Sequence, residues 1–145
     1  MDIYLGIIKR NKNFIGVVGI FTESGQFYKG YKKYINKEKD IYERYISLYI
    51  WSLHKVRLLY QNSKLDICYF NIFIDKLFVY KYINKEYYSK IYKDIFKDLI
   101  LEISLLPIET TIIYKNNINN KLSRIYNLLN VKEYYLNIED ILNNK

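Results

Sequence analysis

The feature that most constrains the fold is a change of hydrophobic period near residue 40. Before it, apolar residues come in short runs divided by turn residues. After it, they recur mainly at helical spacing, with two further strand-like runs between. Ile3 to Lys9 is an apolar run closed by the polar turn Lys9-Arg10-Asn11-Lys12-Asn13. Phe14 to Phe21 is rich in Val, Ile and Phe. Ser24-Gly25 signals a hairpin, since a small, permissive pair suits a two-residue turn. Gln26 to Ile35 alternates, with Phe27, Tyr31 and Ile35 at odd positions. The three segments read as an antiparallel meander.

Asp40 and Glu43 have capping-box spacing and open a helix. Ile41, Tyr45, Leu48, Trp51 or Ser52, Lys55 and Leu59 trace one side of it, and Ile46, Ile50, Leu53 and Val56 widen the apolar face. A helix packed on a sheet has this breadth. Leu65 to Ile74 is a nearly unbroken apolar run, as expected of a strand covered on both faces, with Cys68 as a buried, inert thiol. A short helix over Leu77 to Ile83 follows. Asn84 is expected to open a longer one, with Tyr88, Ile91, Ile95, Leu99 and Ile103 as its stripe and Pro107 as its stop. Thr110 to Tyr114 reads as a β-branched strand and Lys121 to Leu129 as a helix. The order β-β-β-α-β-α-α-β-α predicts an α/β domain with a five-stranded mixed sheet and helices on both faces. That domain spans 1–130. Residues 131–145 are expected to be a C-terminal extension, packed on the same domain or partly disordered.

At 145 residues and 50% apolar, the chain is one domain's worth with a normal core. Its single cysteine cannot form an internal disulfide, and Cys68 with His54 cannot build a zinc site. Gly16 and Gly19 lie in a strand and precede no helix, so no phosphate loop is present. His54 has no nucleophile at recognisable spacing and reads as a surface or packing histidine. No uncharged apolar run reaches about 18 residues, and Met1-Asp2-Ile3-Tyr4 lacks the order of a signal peptide. These features lead to the expectation of an intracellular protein with no cofactor and no membrane partner. Lys plus Arg number 23 against 15 acidic residues, a net charge of +8. A basic domain attracts polyanions. The absence of Ala beside abundant Ile, Asn, Lys and Tyr looks like an AT-rich coding bias, so part of the lysine excess is compositional.

Phe14-Ile15-Gly16-Val17-Val18-Gly19-Ile20 followed by Ser24-Gly25-Gln26-Phe27 resembles the second and third strands of the ribonuclease H-like superfamily. Tyr45 to Leu53 is similar to its first helix, Phe70 to Lys76 to its fourth strand, and Asn119 to Ile125 to its last motif. The resemblance spans roughly residues 3 to 130 and implies the ribonuclease H fold. In that family clustered carboxylates hold two divalent metal ions that cleave phosphodiesters. Carried across, the four carboxylate positions fall at Gly6, Tyr45, Asp75 and Ser123, and a histidine of many members falls near Asn116 or Asn117. Only Asp75 is acidic. Asp2 lies about 13 Å away along its strand at about 3.3 Å per residue, Glu23 sits in a turn, and Glu43 lies about half a helical turn from position 45. Asp75 alone also suits a helix N-cap.

The resemblance therefore implies a catalytically inactive ribonuclease H-like protein, not an enzyme and without bound metal. It would serve as a nucleic-acid-binding or scaffold component, with an RNA–DNA hybrid or duplex as partner. The expected contacts are Lys9, Arg10, Lys12, Lys76, Lys81, Lys85 and Lys90, because each phosphate neutralised releases a counterion. Lys29, Lys32, Lys33, Lys93 and Lys97 add to the basic surface. Tyr28, Tyr31, Tyr34, Tyr87, Tyr88, Tyr134 and Tyr135 are candidates for base stacking by residue type. The alternatives are a protein–protein or homo-oligomeric structural subunit, and a divergent Mg²⁺-dependent ribonuclease H. Small size, AT-rich coding and stripped carboxylates fit a viral or mobile-element source.

Overall fold

The computed structural model describes residues 1–62 and 66–130. Strands β1 (Asp2–Arg10), β2 (Asn13–Phe21) and β3 (Phe27–Tyr34) form the predicted meander. The first hairpin turns through Asn11 and Lys12, at φ 51° and 68°. Two consecutive left-handed residues give a turn whose twist matches that of the strands it joins. The second turn runs from Thr22 to Gln26, held by Thr22 N–H to Gln26 O and Gly25 N–H to Thr22 O, both 2.9 Å, with Gly25 at φ 85°. Helix α1 (Ile41–Asn62) starts where expected, and the Glu43 amide donates to Asp40 Oδ1 at 3.0 Å.

Strands β4 (Tyr69–Ile74) and β5 (Glu109–Tyr114) extend the sheet in parallel, giving the order β3-β2-β1-β4-β5. Helices α2 (Leu77–Ile83) and α3 (Lys93–Ser104) follow β4, and α4 (119–130) follows β5. The larger core joins Ile3, Leu5, Phe70, Ile72 and Ile74 of the sheet to α1, α2 and α3. The smaller core, on the opposite face, joins Ile8, Ile15, Val17 and Phe21 to Leu122, Ile125 and Leu129 of α4.

Three glycines on three adjacent strands admit α4 to that face. A Cβ at Gly6 would overlap Leu122 Cδ1, one at Gly19 would overlap Ile125, and one at Gly30 would crowd the Val18 carbonyl and lie 3.1 Å from Leu129. Leu122, Ile125 and Leu129 are one helical stripe. The glycines thus form a groove across the sheet for a ridge of the helix.

Three sequence-based expectations are corrected. Residues 84–92 are not the start of a helix. Asn84 is the C-cap of α2, Lys85 is left-handed at φ 62°, and α3 begins at Lys93. Tyr88 and Ile91 of the expected stripe are 60% and 86% exposed, so their spacing does not report a buried face. β4 alternates between buried and half-buried residues, because only its α1 side is fully covered. Cys68 precedes β4 and is exposed. Residues 131–145, expected as an extension, lie outside the described residues. Among the described residues no helix is long and apolar enough to cross a membrane.

Candidate functional site

Parallel strands leave their carboxyl ends as a natural crevice. Asp75 directly follows β4, and Lys115 directly follows β5, its amide donating to Ile74 O at 2.9 Å. The β1–β4 register pairs Tyr4 with Phe73. Gly6 lies two residues further along β1, and its Cα side opens toward Leu122 of α4. From above, α1 contributes Tyr45 and Tyr49. The Tyr49 hydroxyl donates to Asp75 Oδ1 at 3.3 Å, and Lys76 Nζ sits 4.4 Å from the Tyr45 ring centroid.

Burial sets the electrostatics of this cluster. Desolvation raises the Asp75 pKa, opposed by Lys76, by the Tyr49 hydrogen bond and by its own backbone amide. Tyr45 is pushed up to about 12 by burial and then by the Asp75 charge. Tyr49 rises well above the usual phenol value for the same two reasons. Asp75 does not cap α2: Lys76 holds that position, and no side chain bonds the helix start. A carboxyl with a raised pKa in the folded state binds its proton more tightly there. Its charged form therefore costs stability as pH climbs above 3.8, the ordinary value. Asp75→Asn is expected to match the wild type in stability below that pH. It should gain on the wild type as pH rises above it, as read from urea midpoints across the range.

The four positions to which the resemblance assigns carboxylates have different surroundings. Position 6 is closed, because the Leu122 side chain occupies the space where a β1 carboxylate would project. Tyr45 stands near enough to Asp75 to feel its charge. Ser123 turns to the hairpin end of β1, where Arg10 Nη2 donates to its Oγ at 2.8 Å. Asp2 accepts from Asn71 Nδ2 at 3.1 Å, near the start of β1, Glu23 is exposed in its turn, and Glu43 lies in the first turn of α1. Among the described residues no three His, Cys, Asp or Glu side chains gather. These residues do not fit a pair of divalent ions, which need several converging oxygen ligands.

The basic residues divide into two groups. Lys9, Arg10 and Lys12 ride on the β1–β2 hairpin, Arg10 half-buried with its guanidinium 5.7 Å from the Tyr126 ring centroid. Lys76 belongs to the Asp75 cluster, while Lys81, Lys85 and Lys90 follow on α2 and its exit, all exposed. Lys85 also borders a 600 Å³ cleft with Tyr82, Tyr87, Tyr88 and Lys97. Sequence reasoning missed Lys115, Lys121 and Arg124. Desolvation lowers the Lys121 pKa, with Arg124 and Lys115 adding repulsion. Their signal was available: one lysine directly after a β-branched strand, then two cations three residues apart on a helix. His54 is exposed, within hydrogen-bond distance of Arg57 Nη2 at 2.9 Å, as expected of a surface histidine.

No family model and no curated relative matches the chain. Solved structures do. The chain is similar to LC11-RNase H1 in complex with an RNA/DNA hybrid, at TM-score 0.66 and 17% identity, over 88% of this chain and 91% of that one. It is similar to RNase H1 of Halobacterium salinarum at TM-score 0.64 and 11% identity, over 83% and 89%. The N-terminal RNase H domain of a Mycobacterium tuberculosis protein matches at TM-score 0.62 and 10% identity, over 86% and 95%. The ribonuclease H-like fold expected from the motifs is therefore present. The expectation that the chain is not an enzyme is overturned by the same neighbours, which are RNase H structures throughout. Glu133, Glu139 and Asp140 lie outside the described residues.

Proposed function

We propose that this chain, with its ribonuclease H-like fold, binds an RNA–DNA hybrid across the carboxyl ends of β1, β4 and β5. The observation that carries the reading is the charge at these strand ends. One partly buried carboxylate, Asp75, is flanked by Lys76 and Lys115, with Arg10 on the projecting hairpin. A duplex laid there meets phosphate-binding cations on both sides. Lys9 and Lys12 extend the contact along the hairpin, and Lys81, Lys85 and Lys90 extend it along α2 and its exit. The LC11-RNase H1 neighbour, in complex with such a hybrid, supports the choice of partner.

A second reading, cleavage of the bound hybrid, is favoured by the neighbours being RNase H structures. Asp75 is the described residue around which it would be organised. Titration of a labelled hybrid tests the first reading. Contact with about four phosphates predicts an affinity loss on the order of 100-fold between about 50 and 200 mM salt. Lack of binding at the lower salt would overturn it. Running the same mixtures with Mg²⁺ or Mn²⁺ on a denaturing gel tests the second: strand scission that Asp75→Asn abolishes supports it, and an intact hybrid rejects it.

A further inference from the structure

A second basic and aromatic surface lies away from Asp75, on the flank where edge strand β3 meets α1. Tyr31 of β3 and Trp51 of α1 pack edge to face, centroids 6.5 Å apart at 84°, and both remain half-buried. Three ammonium groups converge on this pair. Lys29 Nζ is 5.6 Å from the Tyr31 ring, Lys33 Nζ is 5.5 Å from the Trp51 ring, and Lys55 Nζ is 5.8 Å from each. Among the described residues none of the three pairs with a carboxylate. Arg44 continues the positive strip along α1, its guanidinium 4.9 Å from the Phe14 ring. Arg44 to Lys55 spans about 16 Å of helix.

Lysines on an edge strand also discourage sheet-to-sheet pairing. That role needs no aromatic rings beneath them, and it does not account for Lys55 on the helix. Like charges gathered over two rings, with no paired carboxylate among the described residues, suit a ligand that supplies both anions and flat apolar faces. We propose that this flank binds a single-stranded segment of nucleic acid, with a base against Trp51 or Tyr31 and the adjoining phosphates on Lys29, Lys33 and Lys55. Cation–π contacts at exposed sites are weak beside base–aromatic stacking, so the lysines can swing from ring to phosphate as a base arrives. A single strand fits better than a duplex because only unstacked bases offer their faces. The surface is separate from the strand-end site: Trp51 lies six residues, about 9 Å, along α1 from Tyr45.

Trp51 is the chain's one tryptophan, so its fluorescence reports this surface directly. The whole chain is titrated with a short oligothymidylate and, separately, with inorganic polyphosphate. The expected result is salt-sensitive quenching by oligothymidylate of at least twofold, and little by polyphosphate, which has no base to stack. The double variant Lys33→Glu/Lys55→Glu should keep its circular dichroism and lose at least tenfold in oligothymidylate affinity, whereas Lys76→Glu should bind it as the wild type does. Unchanged emission at saturation, equal quenching by polyphosphate, or wild-type affinity in the double variant would each overturn the proposal. A failure of hybrid binding with oligothymidylate quenching intact would count against the strand-end reading alone.

Discussion

Gly6→Asp, which places a carboxylate where the resemblance assigns the first one, is expected to lower the unfolding free energy by about 3–5 kcal/mol. Two costs combine. Any side chain at residue 6 collides with Leu122, which is fully buried, and overpacking of this kind costs about 1–3 kcal/mol. The new carboxylate is also buried beneath α4 without a donor, and an unsatisfied buried polar group costs about 1–3 kcal/mol, more if charged. Small domains have only about 5–15 kcal/mol in total. Leu122→Ala alone should cost about 2–5 kcal/mol by leaving a cavity. The double variant should cost less than the sum, because the aspartate enters the space the leucine vacates. Urea unfolding of the four proteins measures this. A Gly6→Asp variant as stable as wild type would show that α4 is not seated in the glycine groove.

Phe96→Ala is expected to cost about 3–5 kcal/mol, the usual range for a large aromatic in a closed core. Phe96 is 0% exposed. Its ring stacks on Tyr82 with centroids 3.8 Å apart at 9° and meets Phe78 edge-on at 6.4 Å. Both partners belong to α2, a helix of seven residues with no side-chain cap. So short a helix does not stand on its own propensity and depends on tertiary contacts. Since α2 begins right after Asp75-Lys76, the loss should reach the strand-end site as well. Hybrid affinity should fall along with the urea midpoint, and amides of α2 should exchange faster than those of β1. Phe96→Leu should recover most of the stability. A loss below about 1 kcal/mol would show that α2 is held by other means.

The meander, the start of α1 and the order of elements were legible because each rests on local signals: alternation, turn residues and a cap. The failures came where one residue type serves two purposes. Asn84 suits the start of a helix, but Asn also closes helices, and it closes α2. Asp75 looked like a cap because it precedes a helix. Its hydrogen-bond partner, Tyr49, lies 26 residues earlier, and only the folded sheet brings the two together. The resemblance assigned the four carboxylate positions to Gly6, Tyr45, Asp75 and Ser123, and of these Tyr45 feels the Asp75 charge. Ser123 could be placed in the chain but not in space, since its tie to Arg10 crosses from a hairpin to the last helix. The glycine groove explains why Gly6 is small: it receives Leu122.

The most direct test of strand-end binding is the slope of hybrid affinity against salt, for the wild type and for Arg10→Glu and Lys76→Glu. If these side chains contact phosphates, each variant binds more weakly on every hybrid sequence, and its slope falls by about 1. Slopes and affinities equal to those of the wild type in both variants would contradict binding at the carboxyl ends of β1, β4 and β5.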